Sequence, residues 1–159
     1  MAESLAEQVL GKIGPVSEFY HRLLIVAAPT GAGKTKTLQE VHQRTSAPLI
    51  NVNLELSRRM LDLTERQRAL QLPRLLGEIV NETEGDVALL DNIEILFDVA
   101  LKQDPLRLLQ GISRNKTIVA SWNGSVDKDS LTYAAPGHPE YRRYSSSDLL
   151  IATPAVMKG

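Results

Sequence analysis

The chain has 159 residues, with 18 Lys and Arg against 19 Asp and Glu, a formal net charge of −1 and no cysteine. That length suits one α/β-sized domain able to bury roughly 70% of the surface its unfolded form exposes, and it excludes a second sizeable one. The near-neutral charge excludes a global positive field that would draw nucleic acid or anionic lipid, and the missing thiols exclude disulfides, thiol catalysis and Cys-ligated zinc.

The amino terminus, Met1-Ala2-Glu3-Ser4-Leu5-Ala6-Glu7, is acidic and amphipathic rather than basic and then apolar. No apolar run approaches the roughly 18 residues of a membrane helix, so a cytoplasmic protein without a membrane segment is expected. His21, His42 and His138 show no metal-ligand spacing. Any DNA contact must be local or assembled by oligomerisation.

Leu5, Val9 and Ile13 recur at helical spacing, and Gly14-Pro15 is expected to end that helix. Val16 to Arg22 leads into a first strand, Leu23 to Ala27. Phe19, Tyr20 and His21, just before it, either pack or line an adenine pocket. The segment Ala28-Pro29-Thr30-Gly31-Ala32-Gly33-Lys34-Thr35 then follows the strand and opens a helix running to about Thr45. It matches the Walker A pattern with Ala28 at the first Gly position. Such a loop wraps backbone N–H groups around a polyphosphate, directs a Lys ammonium at the β/γ-phosphates and offers a Thr hydroxyl to Mg²⁺. Thr30, Gly31, Ala32, Gly33, Lys34, Thr35 and Lys36 are therefore the expected ATP-binding residues, with the positive end of the helix behind them.

Pro48 to Asn53 alternates like a strand, and Leu54 to Leu72 reads as a heavily charged helix. Its arginines, Arg58, Arg59, Arg66 and Arg68, together with Arg74, are interleaved with Glu55, Asp62 and Glu65, the pattern of an ion-paired face rather than a nucleic-acid surface. Pro73 is expected to start another helix, with Leu75, Leu76, Ile79 and Val80 as its apolar side, until Glu84-Gly85 breaks it. Asp86 to Asp91 is an uninterrupted apolar strand ending in a carboxylate, which suits a buried parallel strand. Ile93 to Gln110 reads as one helix, Thr117 to Trp122 as a fourth strand and Leu149 to Ala152 as a fifth. Asn123 to Ser147, rich in Gly, Pro, Ser, Asp and Tyr, reads as a long polar loop. Alternating strands and helices imply an α/β fold: a five-stranded, mainly parallel sheet with helices on both faces.

Asp91, at the C-terminal tip of its strand, is positioned to share Mg²⁺ with Thr35. The next residue, Asn92, can position a water but cannot take its proton, so slow hydrolysis is expected. Glu94 substitutes as the base if the strand end turns sharply; otherwise it is a first-turn helix carboxylate. Ser121-Trp122-Asn123 brings polar groups to the same edge and resembles the sensor-1 position of AAA+ ATPases, which implies a contact with the γ-phosphate or its water by Asn123, with Ser121 in reserve. Arg142 and Arg143 precede the last strand.

This order of loop and strands resembles the additional-strand P-loop class that includes AAA+ and STAND ATPases, over nearly the whole chain. The resemblance implies a P-loop NTPase domain spanning 1–159, an arginine of the Arg142-Arg143 pair completing a neighbouring subunit's site, and hence a homo-oligomer. After the fifth strand, Thr153 to Gly159 leave no room for the helical lid of AAA+ proteins. With Asn51 to Ser57, Leu90 to Phe97 and Pro136 to Tyr141, the chain is similar to the BrxF family, small P-loop proteins of type 3 BREX phage-exclusion systems. That similarity implies anti-phage defence in company with other BREX proteins.

Overall fold

The structure, a computed structural model, describes residues 4–154. The expectation of no C-terminal lid falls largely on residues 155–159, outside the described residues. Five apolar segments are the frame: β1 (Leu23–Ala28), β2 (Leu49–Asn51), β3 (Val87–Asp91), β4 (Thr117–Val126) and β7 (Leu150–Ala152). They pair in parallel in the order β2-β3-β4-β1-β7, so β4 lies between β1 and β3.

Side chains alternate between the two faces of this sheet, as the period of a strand requires. On one face Leu24, Val26, Leu89, Val119 and Ala152 are covered by α1 (Leu5–Val16) and α2 (Lys34–Thr45), through Ala6, Val9, Leu38 and Val41. On the other, Ile25, Ala27, Ala88, Leu90, Ile118 and Ala120 meet α3 (Val52–Arg59), α4 (Glu65–Asn81) and α5 (Pro105–Ile112). The core is thus two apolar layers with the sheet between them.

Four expectations about elements need correction. First, α1 runs through Gly14-Pro15 to Val16. The ring of Pro15 falls in the last turn, and Gly14 before it has no Cβ to clash with it. Second, the helical stretch breaks at Met60–Thr64 rather than at Pro73, because Thr64 and Gln67 form a reciprocal capping box that starts α4. Pro73 lies inside α4, where it cannot bond the carbonyl of Ala69. That oxygen instead accepts a 2.7 Å hydrogen bond from Gln103 Nε2.

Third, Ile93 to Gln110 is not one helix. It divides into 3₁₀ turns at Ile93–Phe97 and Val99–Leu101, followed by α5. Asn92 and Lys102 both adopt positive φ (55° and 54°), and Asp104-Pro105 supplies the N-cap and first residue of α5. Fourth, the segment Asn123 to Ser147 is a sheet extension rather than a loop. β4 continues to Val126 and pairs antiparallel with β5 (Ser130–Tyr133), which pairs with β6 (Arg142–Ser145). The sheet therefore has seven strands, where five were expected.

This antiparallel wing is rooted by aromatic packing. The rings of Phe97 and Tyr133 stack with centroids 3.4 Å apart, and Trp122 meets both edge-on. Trp122 Nε1 donates to the Thr132 carbonyl at 2.9 Å, directly above Gly124. A methyl group at 124 would overlap that same carbonyl oxygen. Gly124→Ala is expected to lower stability by about 1–3 kcal/mol, an overpacking cost. Urea unfolding followed by circular dichroism checks this, and an unchanged midpoint would show that the wing shifts freely.

Candidate functional site

The parallel strands end on one edge, and their register brings the polar tips together. Asn51 lies opposite Asp91 in the β2–β3 pair, and Ala28 opposite Asn123 in the β1–β4 pair. Alternation then selects the face. Leu89 and Val119 point toward α2, so Asp91, Ser121 and Asn123, each in even register with them, point the same way. Trp122 points to the opposite face and joins the aromatic root of the wing.

The 29–33 loop closes over this edge. Gly31 and Gly33 hold φ of 85° and 89°, a conformation that side chains with a Cβ rarely adopt. Gly33 is also the N-cap of α2 and makes no side-chain cap bond, so the first-turn amides of α2 are available to an anion. Lys34 is buried, and its Nζ donates to the carbonyls of Ala28 and Pro29, each at 2.8 Å. Burial pushes its ammonium below the usual lysine range, and the nearby carboxylates of Glu94 and Asp91 counter part of that effect.

Thr35 Oγ1 donates to Asp91 Oδ2 at 2.7 Å, and Ser121 Oγ donates to Asp91 Oδ1 at 2.8 Å. Asn92 turns the chain sharply: with φ 55° and ψ 52° it is left-handed, a region Asn tolerates better than most residues. Its carbonyl accepts from Asn53 N at 3.1 Å, which fixes the turn against the start of α3. The chain consequently doubles back, and Glu94 faces the same cleft. There Glu94 Oε1 accepts a 2.9 Å bond from Asn123 Nδ2.

Thr30, Gly31, Gly33, Lys34, Thr35, Lys36, Asp91, Asn92, Glu94 and Asn123 thus line one cleft of about 590 Å³. Ala32 belongs to the loop backbone, with its N–H donating to the Pro29 carbonyl at 3.1 Å. Arg142 and Arg143 lie elsewhere, on β6: Arg142 is held by the Gln103 carbonyl at 2.8 Å, whereas Arg143 is exposed. Phe19, Tyr20 and His21 precede β1 at the opposite edge of the sheet, where the Arg114 guanidinium lies 5.1 Å from the centre of the Tyr20 ring. Of the helix arginines, Arg59 pairs with Glu82 at 2.7 Å, Arg58 with Glu55 at 3.7 Å and Arg74 with Glu78, whereas Arg68 donates to the carbonyls of Leu63 and Leu61.

Two lining residues were not identified in these roles from sequence. Gln39 follows Thr35 by one helical turn, a spacing that places it on the same face of α2. Ser121, expected only in reserve for a γ-phosphate contact, lines the cleft beside Asp91 and bonds it; its even spacing from Asn123 on β4 was the available signal.

Among the described residues no group of three or more His, Cys, Asp or Glu side chains is placed to hold a metal ion. Thr35 and Asp91 are hard oxygen donors, and Mg²⁺ commonly rests on one or two such protein groups, completing its shell with phosphate oxygens and water. The donor set therefore fits a Mg²⁺ bound with a polyphosphate. Among the described residues no helix is long and apolar enough to cross a membrane. Compared with protein-family models and with curated proteins, the chain matches none.

Proposed function

We propose that the protein is a P-loop NTPase that binds Mg·ATP in the cleft and hydrolyses it slowly. The observation that carries this reading is the convergence of Lys34, Thr35 and Asp91 beneath a loop with two left-handed glycines at the N-terminus of α2. Loop and first-turn amides donate to phosphate oxygens, and the Lys34 ammonium leaves the Ala28 and Pro29 carbonyls to neutralise β/γ charge. Thr35 and Asp91 hold the metal, which supplies charge neutralisation at the phosphates. Glu94 takes the proton of the attacking water as the bond from the γ-phosphorus to its bridging oxygen breaks. Asn123 responds to the γ-phosphate through the amide that otherwise binds Glu94. The insertion of β4 between β1 and β3 supports the likeness to the additional-strand P-loop class.

In this reading the protein acts as a homo-oligomer, with an arginine of β6 reaching a neighbour's cleft, and works in anti-phage defence beside other BREX proteins, as the similarity to BrxF implies. Arg143 is the better donor, because Arg142 is bound within its own chain. Binding of a fluorescent ATP analogue with and without Mg²⁺, and phosphate release at several protein concentrations, test these claims. Metal-assisted binding and specific activity that falls on dilution are expected. No binding at millimolar nucleotide would remove the reading.

A second reading is a nucleotide-gated scaffold that does not hydrolyse. The observation favouring it is that Asn92 follows Asp91 and that Glu94 is already bonded to Asn123. Phosphate release at background, with nucleotide binding intact and with DNA present or absent, selects the scaffold.

A further inference from the structure

Both oxygens of Asp91 accept a hydrogen bond from the protein. Oδ2 accepts from Thr35 and Oδ1 from Ser121, at 2.7 and 2.8 Å. The two bonds differ in how readily they can be exchanged. Thr35 is exposed at the start of α2, and its hydroxyl can turn from Asp91 to a cation by rotating about one bond. Ser121 is only 3% exposed and belongs to the strand held between β1 and β3, opposite Val26 and beside Ala120, which pairs with Leu90. Turning the carboxylate to present both oxygens would break this bond and leave the buried Ser121 hydroxyl without its acceptor, which costs more than the bond itself contributes.

Mg²⁺ and Ca²⁺ ask different things of a carboxylate. Mg²⁺ demands a tight octahedron and takes one oxygen from each carboxylate, keeping several waters. Ca²⁺ accepts six to eight oxygens at longer range and often takes both oxygens of one carboxylate. Resting on the nucleotide-binding reading, we propose that Ser121 is the metal-specificity residue of the cleft: by anchoring Oδ1 to the buried strand it fixes the rotation of the Asp91 carboxylate, so that Oδ2, beside Thr35, is the oxygen presented to a cation, and so favours Mg²⁺ over Ca²⁺. The Asp91 carboxylate is then not free to swing both oxygens around a larger ion. Ser121 acts through Asp91 and is a positioning residue.

The test is binding of a fluorescent ATP analogue to the full chain, titrated separately with MgCl₂ and CaCl₂. The wild-type protein is expected to half-saturate at lower Mg²⁺ than Ca²⁺. Ser121→Ala should raise the Mg²⁺ requirement by about tenfold or more, the usual effect of removing a group that orients a metal ligand, and should narrow the Mg²⁺/Ca²⁺ difference. Ser121→Thr keeps the hydroxyl and should keep the wild-type ratio. If Ser121→Ala does not fold by circular dichroism, Ser121→Cys, of similar shape but a weak donor, carries the same expectation. A ratio unchanged in Ser121→Ala or Ser121→Cys, or no Mg²⁺ preference in the wild type, overturns the assignment while leaving nucleotide binding standing. Absence of analogue binding under every metal condition overturns both.

Discussion

Lys34→Ala is expected to lower ATP affinity by about 100-fold and to bring phosphate release to background. A charge-assisted hydrogen bond contributes about 1.5–3 kcal/mol, and the upper end of that range corresponds to about two powers of ten in affinity. The fold should survive the change. Burial already disfavours the ammonium at this position, so its removal relieves a cost, and the carbonyl of Pro29 adjoins an exposed loop where water can meet it. Titration with a fluorescent ATP analogue, with thermal unfolding as the folding control, measures both halves of the expectation. Unchanged nucleotide affinity in a folded Lys34→Ala protein would sink the phosphate-loop assignment, because nothing else in the cleft combines buried positive charge with that loop.

The parallel core was legible because its signals are local. Leu23 to Ala28 and Val87 to Leu90 are apolar without interruption, as strands covered on both faces must be, and glycines mark the turn between β1 and α2. The errors arose where one residue's local preference was overruled by a distant partner. Pro73 reads as a helix start until Gln103, thirty residues on, satisfies the carbonyl the proline leaves orphaned. The wing was missed because β5 and β6 have four residues each and β6 alternates half-buried with exposed positions rather than forming an apolar run; their pairing is held by Trp122, Phe97, Tyr133 and Tyr144, which come together only in the folded chain.

The candidate site divides in the same way. Lys34, Thr35 and Asp91 could be named because a loop between strand and helix, and a carboxylate at a strand tip, have fixed positions in a parallel α/β sheet. What the sequence left open at Glu94 depended on one backbone angle. A left-handed Asn92 cannot be read from composition, although Asn is among the few side chains that accept it. Asn123 and Ser121 could be placed on the right edge, but their partners required the face of β4 to be known. The alternation of Val119, Ser121 and Asn123 against Ile118, Ala120 and Trp122 supplies that face once β4 is seated between β1 and β3.

Glu94→Gln is expected to abolish turnover while leaving ATP affinity within a few-fold of the wild type. A positioned general base contributes about 10²–10⁴-fold in rate, so a slow ATPase falls to background without it. The substitution is close to isosteric and retains an Oε1 acceptor, so the bond from Asn123 Nδ2, 2.9 Å long in the native site, can persist. Only the capacity to take a proton is removed. Asn92, in the position directly after Asp91, offers no replacement, because an amide has no basic lone pair at neutral pH. Single-turnover phosphate release under saturating Mg·ATP separates chemistry from binding. Turnover persisting in Glu94→Gln would move the base away from this cleft, and loss of nucleotide affinity together with turnover would make Glu94 a binding group. If the native protein itself stays at background, nucleotide occupancy rather than cleavage is the signal, and Glu94 serves with Asn123 as a contact that registers the γ-phosphate.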